Sequence, residues 1–298
     1  MIKFIRDWTL PLAMVLGAAC YKIVGHIPFL PPLLIFCILL FTFSKISYKE
    51  IRISAMHLWL LLIEIGGAIA LYYIVAPFDR IVAQGVMICF LCPTATAAAV
   101  VTSKLKGDVA NVSTYTLLCN TAVAVVVPLL FPIIAPESSS PDFLLGFYAI
   151  MKKIFPLLIL PFLLAQFAQI FMPKFNDLLV KCNSASFYLW ALALVVSIGL
   201  LIDSMVQNPL NSLTVLYIAI GSLLSSIVQF YIGHKIGLKY NSPIAGTQGL
   251  GQKNTILAIW ICNHYLNPIS ALAPGFYLFW QNIYNSYQMH KQRKLDNL

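Results

Sequence analysis

Two ionisable residues lie within apolar sequence, where a charge is costly. Glu64 is in the middle of the apolar run Leu58–Ala70, and Lys253 falls inside another predicted membrane helix. A lysine or aspartate at the centre of a membrane helix costs roughly 2.5–3.5 kcal/mol on insertion scales, so such residues persist when they are paired or functional. Because one charge of each sign is present, we expect the two to meet. They form either a static ion pair that fastens two helices together or a site for a substrate or a coupling ion.

Two of the predicted helices are interrupted near their middles. In the first, an apolar run ends at Pro93-Thr94-Ala95-Thr96, where the proline removes a backbone donor and clashes with the preceding turn. In the second, glycines, amides and a lysine alternate over Gly246–Asn254. Unwound backbone at membrane depth must be satisfied by protein, ion or water, so it lines a cavity. The half-helix N-termini at such breaks carry partial positive charge, which suits an anion.

The composition requires a membrane around these residues. Of the 298 residues, 60% are hydrophobic and 10% are charged, whereas a soluble domain is about 45–50% apolar and 25% charged. Too little polar surface remains to cover a water-soluble core. The sequence therefore predicts an all-α integral membrane protein, a single polytopic domain over residues 1–298.

A membrane helix needs roughly 20 mainly apolar residues, and nine stretches qualify. A tenth, 241–264, looks like a loop over Asn241–Thr255, but we keep it as a broken span because the basic tail Lys291–Lys294 would otherwise end outside. We number them spans one to ten: 8–25, 27–46, 53–76, 80–103, 109–134, 152–172, 184–206, 210–233, 241–264 and 268–289. A polar stretch, Glu137–Asp142, and a short interfacial segment separate spans five and six. The breaks fall in spans four and nine, the fourth span of each half, and such paired interruptions indicate a transporter built from inverted repeats. The repeats would cover about 1–135 and 143–290.

The basic residues predict the orientation. With the N-terminus inside, fourteen of the nineteen lysines and arginines lie on the inner side, which also explains the net charge of +9. Cytoplasmic loops collect such residues. We expect a protein of the bacterial inner (plasma) membrane with both termini cytoplasmic.

Polar side chains crowd into spans four, five, nine and ten and could line a pathway. Each one alone is more typical of a hydrogen bond between packed helices. With the two charges and the proline, the candidate substrate- and ion-binding residues are Glu64, Pro93, Thr94, Thr96, Thr116, Gln248, Gln252, Lys253, Asn254, Gln281 and Asn282. The aromatic residues Tyr188, Trp190, Trp280 and Tyr284 are assigned to packing or to the interface.

Residues for catalysis or metal binding are scarce. Cys89-x-x-Cys92 resembles half of a zinc site, but no second pair and no suitable histidine follow. The sequence contains no His-Glu-x-x-His, no nucleophile motif and no phosphate-binding loop. We expect no catalytic residue, no metal site and no cofactor, and neither an enzyme nor a nucleotide-driven pump.

Three motifs in register resemble the bile acid:sodium symporter family. Cys92–Ala97, followed by Lys106–Ala110, is similar to that family's Cys-Pro-Gly-Gly-Thr-Ala stretch and its Gly-Asn-Val-Ala turn. Gln248–Thr255 resembles its Glu-Val-Gly-Met-Gln-Asn-Ser-Gly crossing, and Phe279–Ile283 its Val-Trp-His-Asn-Ile. Their order and spacing agree over nearly the whole chain.

The resemblance implies a fold of ten transmembrane helices in two inverted five-helix repeats. A panel domain would hold residues 8–46 and 152–206, and a core domain residues 53–134 and 210–289, with helices four and nine crossing at their breaks. The implied substrates are small organic anions such as bile acids and other carboxylates. They are carried by alternating access that is usually driven by sodium.

The ligands that the resemblance implies for sodium are largely replaced. The five positions of one site read Ala98, Ala99, Val112, Thr116 and Gln248. Those of the second read Gln248, Gln252 and, allowing a short gap, Glu64, and Lys253 follows Gln252 where the family has asparagine. We therefore hypothesise that the Lys253 ammonium replaces a sodium ion, with Glu64 as its partner.

The sequence thus favours a secondary transporter of a small organic anion in which sodium binding is lost, so that transport is coupled to protons or uncoupled. One alternative is a cation/proton exchanger on a related fold, with Glu64 and Lys253 as the ion switch. Another, from a different class, is a membrane-embedded enzyme. The expected partners are the organic anion, a proton or sodium as coupling ion, and the lipid bilayer, with no nucleic acid.

Overall fold

The chain is described in a computed structural model over residues 9–24, 27, 29–47, 49, 51–135, 142–208 and 211–296. Within these ranges it is all α-helical, and its one β-type contact is an isolated bridge. The sequence prediction of an all-α membrane protein is confirmed at this level. The helices are α1 (Thr9–Ala19), α2 (Tyr21–Val24), α3 (Leu30–Phe43), α4 (Ala55–Val75), α5 (Arg80–Leu91), α6 (Ala97–Lys104), α7 (Val109–Ile134), α8 (Phe143–Phe171), α9 (Pro173–Cys182), α10 (Ser186–Gln207), α11 (Ser212–Lys239), α12 (Pro243–Gly251), α13 (Thr255–Tyr265) and α14 (Leu272–Asp296).

Several of these helices can cross a bilayer. Among the described residues, five helical stretches are long and apolar enough: Ala55–Val75, Val109–Ile134, Phe143–Phe171, Pro173–Gln207 and Ser212–Lys239. Leu30–Phe43 and Arg80–Leu91 are shorter apolar helices. The count of ten spans in two repeats stays a prediction.

Both predicted interruptions are present. Span four is divided into α5 and α6, and span nine into α12 and α13. Asp79 begins α5 by accepting hydrogen bonds from the backbone N–H groups of Ile81 and Val82. Asn254 begins α13 by accepting one from the N–H of Leu257 at 3.2 Å. Such side-chain caps satisfy the first free donors of a helix.

Span six is longer than predicted, and the short interfacial segment before it was wrong. The helix α8 begins at Phe143 and runs for 29 residues. Asp142 caps it by accepting from the N–H of Leu144 at 2.8 Å, and the apolar residues that follow continue the helix without a break. Most of the preceding polar stretch, residues 136–141, lies outside the described residues. Span one is also divided, by a turn at Cys20 between α1 and α2.

The helices pack in two groups. In one group, α10 contacts α1 and α3, and α8 contacts α3. In the other, α5 packs against α4, α11 and α14, and α11 also packs against α12 and α14. The α7–α8 contact and those of α13 with α3 and α10 join the groups. Side chains such as Phe43, Leu60, Met87 and Phe131 are fully buried in the main core.

Glycines allow α11 and α12 to approach backbone to backbone. A Cβ on Gly246 would collide with the carbonyl oxygen of Gly233, and a Cβ on Gly237 would lie 2.6 Å from the carbonyl oxygen of Ser242. The spacing Gly233-x-x-x-Gly237 is typical of closely packed membrane helices. This contact holds α12 against a long helix and so fixes one half of the broken span nine.

Gly246→Ala is therefore expected to destabilise the protein. The added methyl group must push α11 and α12 apart, and overpacking of this kind costs about 1–3 kcal/mol. Gly66→Ala on α4 is the matched control, because a Cβ there meets nothing within 4 Å and alanine favours helix. Thermal unfolding of the purified protein in detergent measures both variants. An unchanged melting temperature for Gly246→Ala would contradict the close approach.

Candidate functional site

The two helix breaks contact each other through their backbones. Thr94 and Lys253 form an antiparallel bridge. The N–H of Ala95 donates to the carbonyl of Gln252 at 2.8 Å, and the N–H of Asn254 donates to the carbonyl of Pro93 at 2.9 Å. Each break thus supplies the hydrogen-bond partners that the other lacks, which makes unwound backbone tolerable inside the protein.

Side chains fasten this crossing to its neighbours. The Thr94 hydroxyl donates to the carbonyl of Gly249 at 2.6 Å, and the Cys92 thiol donates to the carbonyl of Asn254 at 2.9 Å. Gln281 on α14 accepts from the N–H of Lys253 at 2.9 Å. Side chains at the first break thus bind the second break and α12, and α14 binds the second break.

Glu64 and Lys253 meet in a buried ion pair at the crossing, as the sequence predicts. Lys253 Nζ lies 3.1 Å from Glu64 Oε1, and the two side chains are 1% and 0% exposed. The angles of this contact are not those of a hydrogen bond, and Nζ has no hydrogen-bond partner among the described residues. The interaction is thus an ionic contact that leaves the ammonium donors unfilled.

Two residues on α7 complete the surroundings of the carboxylate. The Tyr115 hydroxyl donates to Glu64 Oε2 at 2.5 Å, and the Cys119 thiol lies 3.0 and 3.2 Å from the two oxygens. These residues are four apart on one helix, so they point the same way. Sequence reasoning missed both, because a tyrosine and a cysteine in an apolar helix are typical of packing.

The ring of His57 packs against the ring of Tyr115. His57 lies two turns before Glu64 on α4, and its ring stacks on that of Tyr115 with centroids 6.2 Å apart. Its Nδ1 accepts from the N–H of Ser54, so Nε2 carries the proton and donates to the carbonyl of Asn111 at 3.1 Å. The histidine therefore fixes the start of α4 against α7 and supports the tyrosine.

A cavity of about 400 Å³ adjoins the crossing. One wall is mostly apolar and comes from α3 and α10, including Ile35, Leu39 and Trp190. The breaks and α14 contribute most of the polar lining, beside apolar residues such as Val100 and Leu278: Thr96, Gln252, Lys253, Asn254, Gln281, Asn282 and Asn285. Trp190, which the sequence assigned to packing, lies against this space. Cavities of this size that combine apolar walls with a few polar groups are typical of small-molecule sites.

A second cavity, of about 620 Å³, continues the first. Thr42, Thr96, Val100 and Asn183 border both cavities. The second one also carries Lys45 and Lys104, which the predicted orientation puts on the inner side.

Buried amides connect the crossing to the far part of α14. Gln248 donates from Nε2 to Asn285 Oδ1 and to Gln288 Oε1, both at 2.9 Å. Asn285 in turn donates to Gln252 Oε1 at 3.1 Å. Sequence reasoning missed Asn285 and Gln288, which lie one and two turns beyond the predicted Gln281 and would have followed from its helical spacing.

Six of the eleven predicted site residues line the cavity, and five do not: Glu64, Pro93, Thr94, Thr116 and Gln248. Thr116 donates to the carbonyl of Val112 on its own helix at 2.8 Å, and Gln248 takes part in the amide network and is absent from the cavity wall. Asn282 faces the cavity while its amide donates to the carbonyl of Leu278 at 2.6 Å.

Three of the five positions of the first sodium site that the resemblance implies, Ala98, Ala99 and Val112, are apolar and pack together. Ala98, Val112 and Ala245 form a small buried cluster with Ala99 packed beside it. Methyl groups offer no oxygen for a hard cation. Within the described ranges, no three His, Cys, Asp or Glu side chains group together as a metal site would require.

The chain matches the model of the sodium bile acid symporter family over residues 31–208, more than half of its length. The protein belongs to the sodium bile acid symporter family. The matched residues include Glu64 and the first break, whereas the second break lies beyond them. A comparison with curated proteins gave no match. Membership makes the protein an integral membrane protein of a transporter family and confirms the resemblance drawn from the sequence.

Removing either partner of the buried pair should destabilise this family member strongly. Glu64→Gln or Lys253→Met leaves one buried charge without compensation, which costs about 3–5 kcal/mol. The double variant should lose much less than the sum, because both charges are gone. Thermal unfolding of the four proteins measures this coupling.

The exposed pair Lys106–Asp296, with Nζ and Oδ1 2.5 Å apart and side chains 66% and 39% exposed, is the matched control. Lys106→Met and Asp296→Asn should change stability little and show little coupling, because solvent screens exposed ion pairs. Additive losses at Glu64 and Lys253 would mean that the buried charges do not depend on each other.

Proposed function

We propose that the protein is a secondary transporter that moves a small organic anion across the membrane by alternating access. The observation that carries the proposal is the cavity between the apolar wall of α3 and α10 and the polar crossing of the two breaks. Binding pockets of transporters commonly form where two discontinuous helices meet near the bilayer midplane.

The two packing groups suit a core and a panel. The core would contain α4–α7 and α11–α14, corresponding to predicted residues 53–134 and 210–289. The panel would contain α1–α3 and α8–α10, corresponding to 8–46 and 152–206. Two inverted five-helix repeats are supported by the matching breaks, which pair antiparallel at Thr94 and Lys253. Movement of the panel against the core would then open the cavity to one side at a time.

The cavity chemistry suits an amphipathic organic anion with a carboxylate or sulfonate end. The N-termini of α6 and α13 begin at the crossing, and their partial positive charge favours an anion. The amides of Gln281 and Asn282 can donate to its oxygens, while Trp190 and Leu39 can cover an apolar body. Lys253 borders the space, but its enclosed side chain lies on Glu64, so the amides supply the polar contacts.

The coupling ion is proposed to be a proton, or absent. The side chains of Ala98 and Val112 offer sodium no oxygen, and the Lys253 ammonium lies on the Glu64 carboxylate. The cavities extend toward Lys45 and Lys104, so this arrangement corresponds to an inward-facing state if those lysines are cytoplasmic. We propose the bacterial inner membrane as its location, with both termini inside.

A cation/proton exchanger is the second candidate, favoured by the buried pair Glu64–Lys253, which resembles an ion switch. The large apolar wall of the cavity weighs against it, since a bare cation needs no such surface. An exchanger would respond to monovalent cations in the absence of any organic solute.

Ligand-induced stabilisation tests the proposed function. A ligand that binds only the folded state adds about 2.7 kcal/mol of stability at 100 times its Kd. We expect taurocholate, benzoate or a 2-oxo acid to raise the melting temperature of the purified protein in sodium-free buffer, and Lys253→Met to abolish this. Stabilisation by sodium alone, in both proteins, would contradict the loss of the sodium sites.

The polar wall is tested by Asn282→Ala. Loss of the Asn282 amide from the cavity should weaken binding of the stabilising anion about tenfold, as expected for a hydrogen bond to a charged group. The melting temperature of the protein without ligand should change little. Asn176→Ala on α9, which borders a different cavity, is the control and should bind normally. Equal affinities in the two variants would place the anion elsewhere.

A further inference from the structure

The surroundings of Glu64 have the construction of a cation site. The carboxylate is completely buried, and the Tyr115 hydroxyl and Cys119 thiol hold both of its oxygens in place. Lys253 Nζ lies 3.1 Å from Oε1, so the site pairs a carboxylate with an ammonium. A negative charge held in this way requires a positive partner close by.

The chain supplies that positive partner as the Lys253 ammonium, whose backbone is fixed at the crossing. The backbone of Lys253 is fixed by the bridge to Thr94 and by the hydrogen bond to Gln281. The whole lysine side chain is 1% exposed, so the stem as well as the ammonium is enclosed. A diffusible sodium ion would leave such a site in every transport cycle, whereas a tethered ammonium stays.

We propose that Glu64, Tyr115 and Cys119 form a monovalent-cation site that the chain fills permanently with its own Lys253 ammonium, and that transport therefore proceeds without a diffusible coupling cation. Tyr115 and Cys119 are positioning residues, because they act on the ammonium through the carboxylate. The cation site stands on the geometry alone. The consequence of this site for transport rests on the proposed function. Of the two modes proposed there, proton-coupled and uncoupled transport, it favours the uncoupled one.

The electrical consequence follows from charge balance. The Glu64–Lys253 pair is neutral as a unit and stays within the protein, so a monovalent anion crosses with its own single negative charge. Its flux is then driven by its concentration gradient and by the membrane potential, which acts with about 2.3 kcal/mol per charge per 100 mV.

Other titratable groups near the pair are thiols and phenols. Besides Tyr115 and Cys119 on α7, the buried thiols of Cys89 and Cys92 and the buried phenol of Tyr277 lie within electrostatic range of the pair. His57 is separated from Glu64 by Tyr115. None of these contacts gives the carboxylate a second cationic partner, so proton exchange at this site would require the ion pair to break.

Chemical rescue tests the cation site. Lys253→Ala removes a fragment with the size and charge of n-propylammonium and leaves Glu64 without its partner. We expect a lower melting temperature for this variant and a saturable rise with n-propylammonium chloride, with at least fivefold weaker response to the bulkier tetramethylammonium. Wild type and the exposed-lysine control Lys239→Ala should not respond, and Glu64→Gln with Lys253→Ala should lose the response.

The positioning residues are tested in the Lys253→Ala background by the apparent Kd for n-propylammonium. Tyr115→Phe and Cys119→Ala should each raise it, Tyr115→Phe by about tenfold because a hydrogen bond to a charged group is lost. Cys119→Ser keeps a donor and should restore the affinity. If both variants lower the melting temperature but leave the Kd for n-propylammonium unchanged, Tyr115 and Cys119 have only a structural role. This result would overturn this part of the proposal.

Sodium provides a measurement that does not depend on the folding of Lys253→Ala. The wild-type melting temperature should be the same in sodium chloride and in choline chloride of equal ionic strength. A saturable stabilisation of wild type by sodium would overturn the proposal, because a second, diffusible cation would then bind. Failure of every ammonium ion to rescue a folded Lys253→Ala protein would also overturn it.

Transport in proteoliposomes separates this inference from the proposed function. Taurocholate uptake, if present, should follow a potential set with potassium and valinomycin, inside positive, and should not respond to imposed sodium or pH gradients. Uptake that requires either gradient contradicts uncoupled transport. Rescue by n-propylammonium without any uptake of taurocholate or benzoate would support the cation site while counting against the proposed function.

Discussion

The backbone pairing between the two helix breaks is the constraint on which the rest of the structure depends. A helix that unwinds at membrane depth exposes N–H and C=O groups that lipid cannot satisfy. Here the breaks satisfy each other, through Ala95 with Gln252 and Asn254 with Pro93. Span four and span nine must therefore cross at this point, and the ends of α5, α6, α12 and α13 are brought together around it.

The buried ion pair is fixed by the same crossing. Burying two charges costs free energy that their attraction offsets only with good geometry and further hydrogen bonds. Tyr115 and Cys119 supply these bonds on the side of the carboxylate, and the bridge at Thr94 holds the lysine backbone. The pair and its hydrogen bonds thus connect α4 and α7 to the second break.

The cavity owes its two different walls to this arrangement. The crossing and α14 must carry polar groups, because unwound backbone and buried amides need partners, whereas α3 and α10 are continuous apolar helices that contribute Leu39 and Trp190. The close α11–α12 contact at Gly233 and Gly246 keeps the polar wall in position.

The sequence by itself determined the membrane class, the positions of both breaks and the two charged residues within apolar stretches. Proline, glycine and a charge in apolar sequence each have local physical consequences, which do not depend on the residues packed around them. The sequence also indicated the family, through motifs such as Cys92–Ala97, which lies within the residues that match the family model. Only the tertiary structure decided that Tyr115 and Cys119 hold Glu64, that Trp190 faces a cavity and that Thr116 does not. These outcomes depend on which face of a helix meets another helix, and nearly uniform apolar helices such as α7 carry no periodicity that reveals it.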